Sequence, residues 1–399
     1  MKTKLLAAAL LVATAGVVVG YPLTSREAAP TAAAAPVAAP VANANSRPKV
    51  DLVFVLDTTG SMAGLIQAAK DNIWSIATTM ASAQPAPEIR IGLVAFRDRG
   101  DQYVTRVVDL SSDLDSMYAT LMDFQADGGG DTPESVNQAL NEAVHRMSWS
   151  QGNDAYKVVF LVGDAPTHDY PDDVEYPDTL KAASAKGIVI NTIQAGEDQS
   201  TRAEWQRIAQ LNQGAYFQVS QSGNAIAMAT PFDEQIASLS KALDETRLFF
   251  GDAETQHDLA RKAASTDKLH AEGSIASRAK RAEFNASASG YKNLLGENEL
   301  VDAVSSGRVD LDDIETSHLP AAMQSLGKDE QAQMIAENAA KRAEITKQIG
   351  ALASQRRAFV ETEIGKRDGL AQSLDYQLYD TVKAQAKEKG LSYEGAPVN

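Results

Sequence analysis

Residues 51–62 read DLVFVLDTTGSM. Leu52–Leu56 is an unbroken apolar run, and it stops at Asp57, Thr58, Thr59, Gly60 and Ser61. A short apolar run bounded by turn residues fits a strand buried on both faces. Gly60 permits a sharp turn, and Ser61 opens a helical pattern over Met62–Ser82. A strand made for a dry core therefore ends in a cluster of oxygen donors. Asp57, Thr59 and Ser61 can converge above the strand end. Hard oxygen ligands of low total charge suit Mg²⁺, and the same ligands accept Mn²⁺.

The pattern around this stretch supplies its setting. Strand signals recur at Val53–Leu56, Ile89–Phe96, Val104–Leu110, Lys157–Val162, Ile188–Ile193 and Ala215–Val219. Between them lie helical patterns at Met62–Ser82, Pro133–Met147, Pro177–Lys186 and Arg202–Asn212. Alternation of this kind predicts an α/β fold, a doubly wound and mostly parallel six-stranded sheet covered on both faces. Only Arg97–Tyr103 separates the second and third strands, too few residues for a crossover helix. Those two are expected to pair antiparallel at a sheet edge. In open α/β sheets ligands collect at the carboxyl ends of the strands, which is where Asp57 stands.

Two further segments carry similar chemistry. Asp127–Glu134 reads DGGGDTPE, a glycine-rich turn leading to a helix expected to start at Pro133. Leu161–Pro166 reads LVGDAP, another strand ending in an aspartate. Both are expected at carboxyl ends, on the side of the sheet where Asp57 sits. Asp57, Thr59, Ser61, Thr132 and Asp164 are thus the candidate metal ligands. Ser61 and Asp131 would serve equally as helix caps, and Asp131 could also support the site from behind.

The joint pattern resembles the von Willebrand factor type A (VWA) domain and its metal-ion-dependent adhesion site. That family's motif is D-x-S/T-x-S, then a threonine, then an aspartate, each in its own loop. Asp57, Thr59 and Ser61 match the first part, Thr132 the second and Asp164 the third. The resemblance covers residues 49–235 and is closest in character to exported bacterial members. It implies a Rossmann-like sheet with a divalent cation at its top. It also implies a partner protein whose acidic residue completes the coordination.

Other signals carry less. His168 follows the third loop, and no histidine shows metal-ligand spacing. Arg99-Gly100-Asp101 spells an integrin-binding tripeptide, although glycine with charge is ordinary turn chemistry. Thr59 stands where a nucleophile elbow needs glycine, and no phosphate-binding loop is present. No catalytic constellation is recognised. A metal-assisted hydrolase or envelope-processing enzyme is the alternative, and a scaffold without a metal-gated switch is a third possibility.

The 399 residues carry a net charge of −16 and no cysteine. Such a chain repels phosphate backbones, which argues against nucleic acid as a partner. Without cysteine, disulfides and thiolate sites are excluded. Residues 1–20 have Lys2 and Lys4 before an apolar run from Leu5 to Val19, the layout of a signal peptide or an N-terminal anchor. Export to the periplasm or beyond follows, with any membrane contact made through that anchor if it is retained. Residues 21–48, rich in alanine and proline, read as a tether. Residues 236–399 are expected to be an α-helical region. Ile335, Ala339, Arg342, Ile345, Ile349, Leu352, Arg356 and Phe359 form its clearest stripe, read as a helical hairpin or small bundle because two arginines interrupt it.

Overall fold

The computed structural model describes residues 47–130, 132–220, 229–364 and 374–393. The expected signal or anchor, nearly all of the tether, and Asp131 lie outside the described residues. Six strands form one sheet: β1 (Lys49–Asp57), β2 (Glu88–Phe96), β3 (Thr105–Ser111), β4 (Tyr156–Gly163), β5 (Ile188–Ala195) and β6 (Tyr216–Val219). Their order is β3-β2-β1-β4-β5-β6. All pairings are parallel except β2 with β3, the expected edge hairpin.

β1 is central, and eight of its nine residues are buried, as a strand covered on both faces requires. Its side chains alternate between two layers. Leu52, Phe54 and Leu56 enter one core with Leu65, Ile73 and Trp74 of α1 (Ala63–Ala81) and Leu114 and Met117 of α2 (Leu114–Asp123). Val53 and Val55 enter the other. There they meet Leu140 of α3 (Val136–His145), Leu180 of α4 (Tyr176–Ala185) and Trp205 of α5 (Gln199–Leu211). Strand order reverses between β1 and β4, so the crevice above their carboxyl ends is the switch point where such folds bind ligands.

Two local expectations are corrected here. α2 was not foreseen, so the segment 124–135 joins two helices rather than following a strand. It reaches the top of the sheet because β3 runs down and α2 carries the chain back up. α3 begins at Val136, not Pro133. The backbone of Glu134 pairs with Thr167 in a parallel bridge, which holds that residue extended.

Beyond β6 the chain is helical: α6 (Asp233–Asp244), α7 (Ala253–Glu272), α8 (Ile275–Ala286), α9 (Tyr291–Leu295), α10 (Leu300–Ser305), α11 (Lys328–Ile364) and α12 (Leu374–Lys387). α6 stops at Asp244, and α7 and α8 are separated by Gly273 and Ser274. α6, α8 and α11 pack together around Ile236, Ala279, Ala282, Ile345 and Ile349. The two arginines in the α11 stripe are ion-paired inside it. Arg342 binds Glu299 at 2.9 and 3.0 Å, and Arg356 binds Asp233 at 2.8 Å.

This helical region also packs on the sheet unit. α7 lies against α2, and α8 against α1. α12 returns to the sheet itself, burying Leu378, Tyr379, Val382 and Ala386 in the core that holds Phe54 and Phe160. Gln385 of α12 accepts a 2.7 Å hydrogen bond from Tyr156 Oη and donates a 2.9 Å bond to Asn191 Oδ1. From Arg47 onward the chain is one compact unit. No described helix is long and apolar enough to cross a membrane.

Candidate metal centre

Asp57 is the last residue of β1 and is 1% exposed. Its Oδ1 accepts from the Thr59 backbone N–H at 2.8 Å and from Thr59 Oγ1 at 2.6 Å. Thr59 Oγ1 lies 3.3 Å from Ser61 Oγ. The first loop therefore brings three of the five candidate donors into direct contact. Thr58, between them, faces away and bonds to the Phe96 carbonyl and the Tyr103 hydroxyl. Ser61 sits in a 3₁₀ turn (Gly60–Met62) that leads into α1, and Thr59 makes no side-chain cap there. Its hydroxyl serves Asp57 instead.

The second loop is stitched to the first. Gly60 N–H donates to the Gly128 carbonyl at 3.3 Å, and Asp127 N–H donates to the Thr58 carbonyl at 3.2 Å. Gly128 and Gly129 both have φ near +80°, a conformation that side chains with a Cβ resist. That pair of glycines lays the backbone directly over Thr59. Thr132 is exposed on this loop. Two residues later Glu134 joins the third loop: its N–H donates to the Pro166 carbonyl at 3.0 Å, and its carbonyl accepts from His168 N–H at 2.8 Å. Asp164 is half-buried and follows Gly163, where an added Cβ would lie 3.0 Å from Asp57 Cβ. The three loops thus meet at one junction: Asp57, Thr59 and Ser61 touch directly, and the Asp164 backbone bonds to the Asp57 carboxyl, while Thr132 lies exposed on the second loop.

The electrostatics at this junction are unbalanced. Asp57 Oδ2 is buried without a hydrogen-bond partner. Burial pushes the Asp57 carboxyl up to about 7, with the Asp164 charge adding to it against the Thr59 hydrogen bonds. Glu134 is 3% exposed, and its Oε2 is also unpartnered. Burial, then the charges of Asp57, Asp98, Asp101 and Asp164, push it up to about 9. Buried polar atoms are normally bonded, so orphaned carboxylate oxygens mark a place where a positive group fits. Arg97 donates through Nε and Nη2 to the Thr58 and Gln125 carbonyls, and its Nη1 lies 3.6 Å from Asp127. The donor set of hydroxyls and carboxylates suits a hard divalent cation. Among the described residues no group of three or more His, Asp or Glu could hold a metal alone, so such a site depends on its hydroxyls and on water.

Neighbouring residues missed in the sequence frame the junction. Asp98 accepts from Ser135 Oγ (2.7 Å) and Tyr170 Oη (2.7 Å), and its Oδ2 lies 3.0 Å from His168 Nδ1. His168 is stacked on Tyr170 and anchored in this cluster, not a free loop histidine. The Arg99-Gly100-Asp101 tripeptide is consumed internally. Arg99 binds Asp172 and Asp173 at 2.7 Å, and Asp101 receives the Gly129 N–H. The only sequence signal for Asp98 and Asp101 was their place in the loop after β2.

A family model described as von Willebrand factor A domain matches residues 51–230. An ariadne-like RING finger protein of Acanthamoeba polyphaga mimivirus is 26% identical over 161 residues. That match covers 36% of this chain and 16% of the viral protein. Von Willebrand factor A domain-containing protein 7 of Mus musculus is 40% identical over 97 residues, 24% of this chain and 10% of the mouse protein. The chain therefore spans a small fraction of these relatives' length. Among solved structures, the SpRpn10 VWA domain has 13% identity and a TM-score of 0.34, covering 45% of this chain and 91% of that one. Proximal thread matrix protein 1 of the mussel byssus has 18% identity and a TM-score of 0.35, with 44% and 42% covered. Residues 51–230 thus match the von Willebrand factor A domain, and the chain has a VWA-like fold: a six-stranded, mostly parallel sheet flanked by helices, with further helices C-terminal to the matched residues.

Proposed function

We propose that this domain is a divalent-cation-dependent protein-binding module of an exported cell-envelope protein. Domains of this family generally mediate protein–protein interaction. The observation that supports cation dependence is the buried, unpartnered Asp57 Oδ2 at the meeting point of three loops. Asp57, Thr59, Ser61, Thr132 and Asp164 would hold Mg²⁺ or Mn²⁺. A cation so held supplies an electrophilic centre for a carboxylate oxygen of the partner. Thr59 holds Asp57 in place through its backbone N–H and its hydroxyl. The hydrolytic alternative would use His168, the histidine of the third loop, whose Nδ1 lies 3.0 Å from Asp98 Oδ2.

The basic-then-apolar start of the chain supports export. N-terminal sequencing of the mature protein should begin between about residue 20 and Asp51; soluble chains that retain Met1 would count against export. Binding is tested by pull-down from an envelope fraction with and without chelator, using the wild type and Asp57→Ala. Capture that needs both the cation and Asp57 supports the function. Capture indifferent to both overturns it.

A further inference from the structure

We infer that Glu134 is a positioning residue of the cation site, acting beyond the five donors named above; this rests on that site binding a cation. Glu134 is buried, yet its Oε2 has no hydrogen-bond partner. Its backbone is fixed by bonds to Pro166 and His168 on the third loop, so the side chain cannot withdraw with a mobile loop. Its direction is marked by Gly129. A Cβ there would lie 3.3 Å from Thr59 Cβ and 3.6 Å from Glu134 Oε1. Glu134 and Thr59 therefore flank the same glycine, and Glu134 reaches from the second loop toward the first.

No neighbour explains this carboxylate as a structural group. The hydroxyl of Ser135 is given to Asp98, and Thr167 Oγ1, on the residue bridged to Glu134, is itself buried and unpartnered. Leaving such a group unmet costs free energy unless something binds there. Asp57, Asp164 and Glu134 do not form a ready carboxylate cage. Mg²⁺ and Mn²⁺ sites of this kind retain water. With a cation bound, Glu134 would accept a hydrogen bond from its water. Partners one step behind the ligands typically change metal affinity 10- to 100-fold.

The test is calorimetric titration of the full chain with Mn²⁺, paired with melting curves in chelator. Glu134→Gln keeps shape and removes the anionic acceptor. It should weaken Mn²⁺ binding about tenfold while the melting temperature in chelator holds or rises. A merely structural glutamate would give the reverse: a lower melting temperature in chelator and unchanged Mn²⁺ affinity. Glu134→Asp retains the charge with a shorter reach and should bind with intermediate affinity; it stands in if Glu134→Gln does not fold. Unchanged affinity in both variants, beside a wild type that binds and an Asp57→Ala that does not, overturns the role of Glu134 and leaves the cation site standing. A wild type that binds no Mn²⁺ overturns both.

Discussion

Replacing Arg281 with methionine should unfold more than the helix that carries it. Arg281 of α8 is fully buried between Asp115 of α2 and Asp244 of α6. It donates to Asp115 at 2.7 and 2.5 Å and to Asp244 at 2.7 and 3.1 Å. Removing one partner of a buried ion pair costs about 3–5 kcal/mol, because the remaining charge is left uncompensated. The two carboxylates are not equally exposed to that loss. Asp244 keeps His270 at 2.7 Å and Arg247 at 3.4 Å. Asp115 keeps only neutral hydrogen-bond donors, Thr266 and Asn293, with Lys262 acting on it electrostatically. The cost should therefore fall near the lower end, about 3 kcal/mol.

The pH dependence gives the same substitution a second signature. Burial alone would raise both carboxyls, but Arg281, together with Lys262 at Asp115 and with His270 and Arg247 at Asp244, outweighs it and holds both below the ordinary aspartate value. A depressed carboxyl contributes stability above its unfolded pKa and loses it as pH falls through the folded one. Wild-type stability from this pair should thus be flat between pH 5 and 7 and fall only below about pH 4. In Arg281→Met, burial dominates at Asp115 and its folded carboxyl rises, while Asp244 keeps His270 and Arg247. The native state then binds more protons than the unfolded one, so stability should decline as pH increases from 5 to 7. Urea denaturation followed by tryptophan fluorescence reads both effects, since Trp74 and Trp205 lie in the two layers of the sheet. A loss below about 1 kcal/mol, the range of exposed pairs, or a pH slope equal to the wild type, would refute the reasoning.

Two further substitutions test the packing. Leu378→Ala on α12 should cost about 2–5 kcal/mol in urea denaturation and do so in the same transition as the sheet, because Leu378 shares its core; a separate early transition would show that α12 is peripheral. Gly163→Ala places a methyl 3.0 Å from both Asp57 Cβ and Trp205, neither free to swing away. It should cost about 1–3 kcal/mol as overpacking and weaken cation binding by displacing Asp57, which calorimetry would detect.

The sheet was legible in the sequence because its strands are short, apolar and sharply bounded, and because the short Arg97–Tyr103 segment after the second strand left room only for a hairpin. Asp57 and Asp164 stood out because one ends a strand and the other directly follows one. What escaped was set by contacts distant in sequence. α2 is a ten-residue helix with little surface of its own, held by α1, α7 and the sheet. The late start of α3 follows from the bridge between Glu134 and Thr167. Arg342 and Arg356 looked like interruptions of an apolar stripe. Their partners Glu299 and Asp233 lie 43 and 123 residues away, which no local pattern reveals. The return of α12 to the sheet is of the same kind, fixed by Tyr156, Asn191 and Gln385.

Cation binding at the junction of the three loops is tested most directly by titrating Mg²⁺ against the melting temperature of the wild type and Asp57→Ala. A ligand that binds only the folded state stabilises it by about 2.7 kcal/mol at a hundredfold excess over its Kd. The wild type should therefore melt several degrees higher in millimolar Mg²⁺, and Asp57→Ala should not respond. In chelator Asp57→Ala should melt at or above the wild type, because it removes a buried carboxyl pushed up to about 7 by burial. A wild type indifferent to both Mg²⁺ and Mn²⁺, or an Asp57→Ala that responds as strongly, would contradict the cation site and leave only the fold.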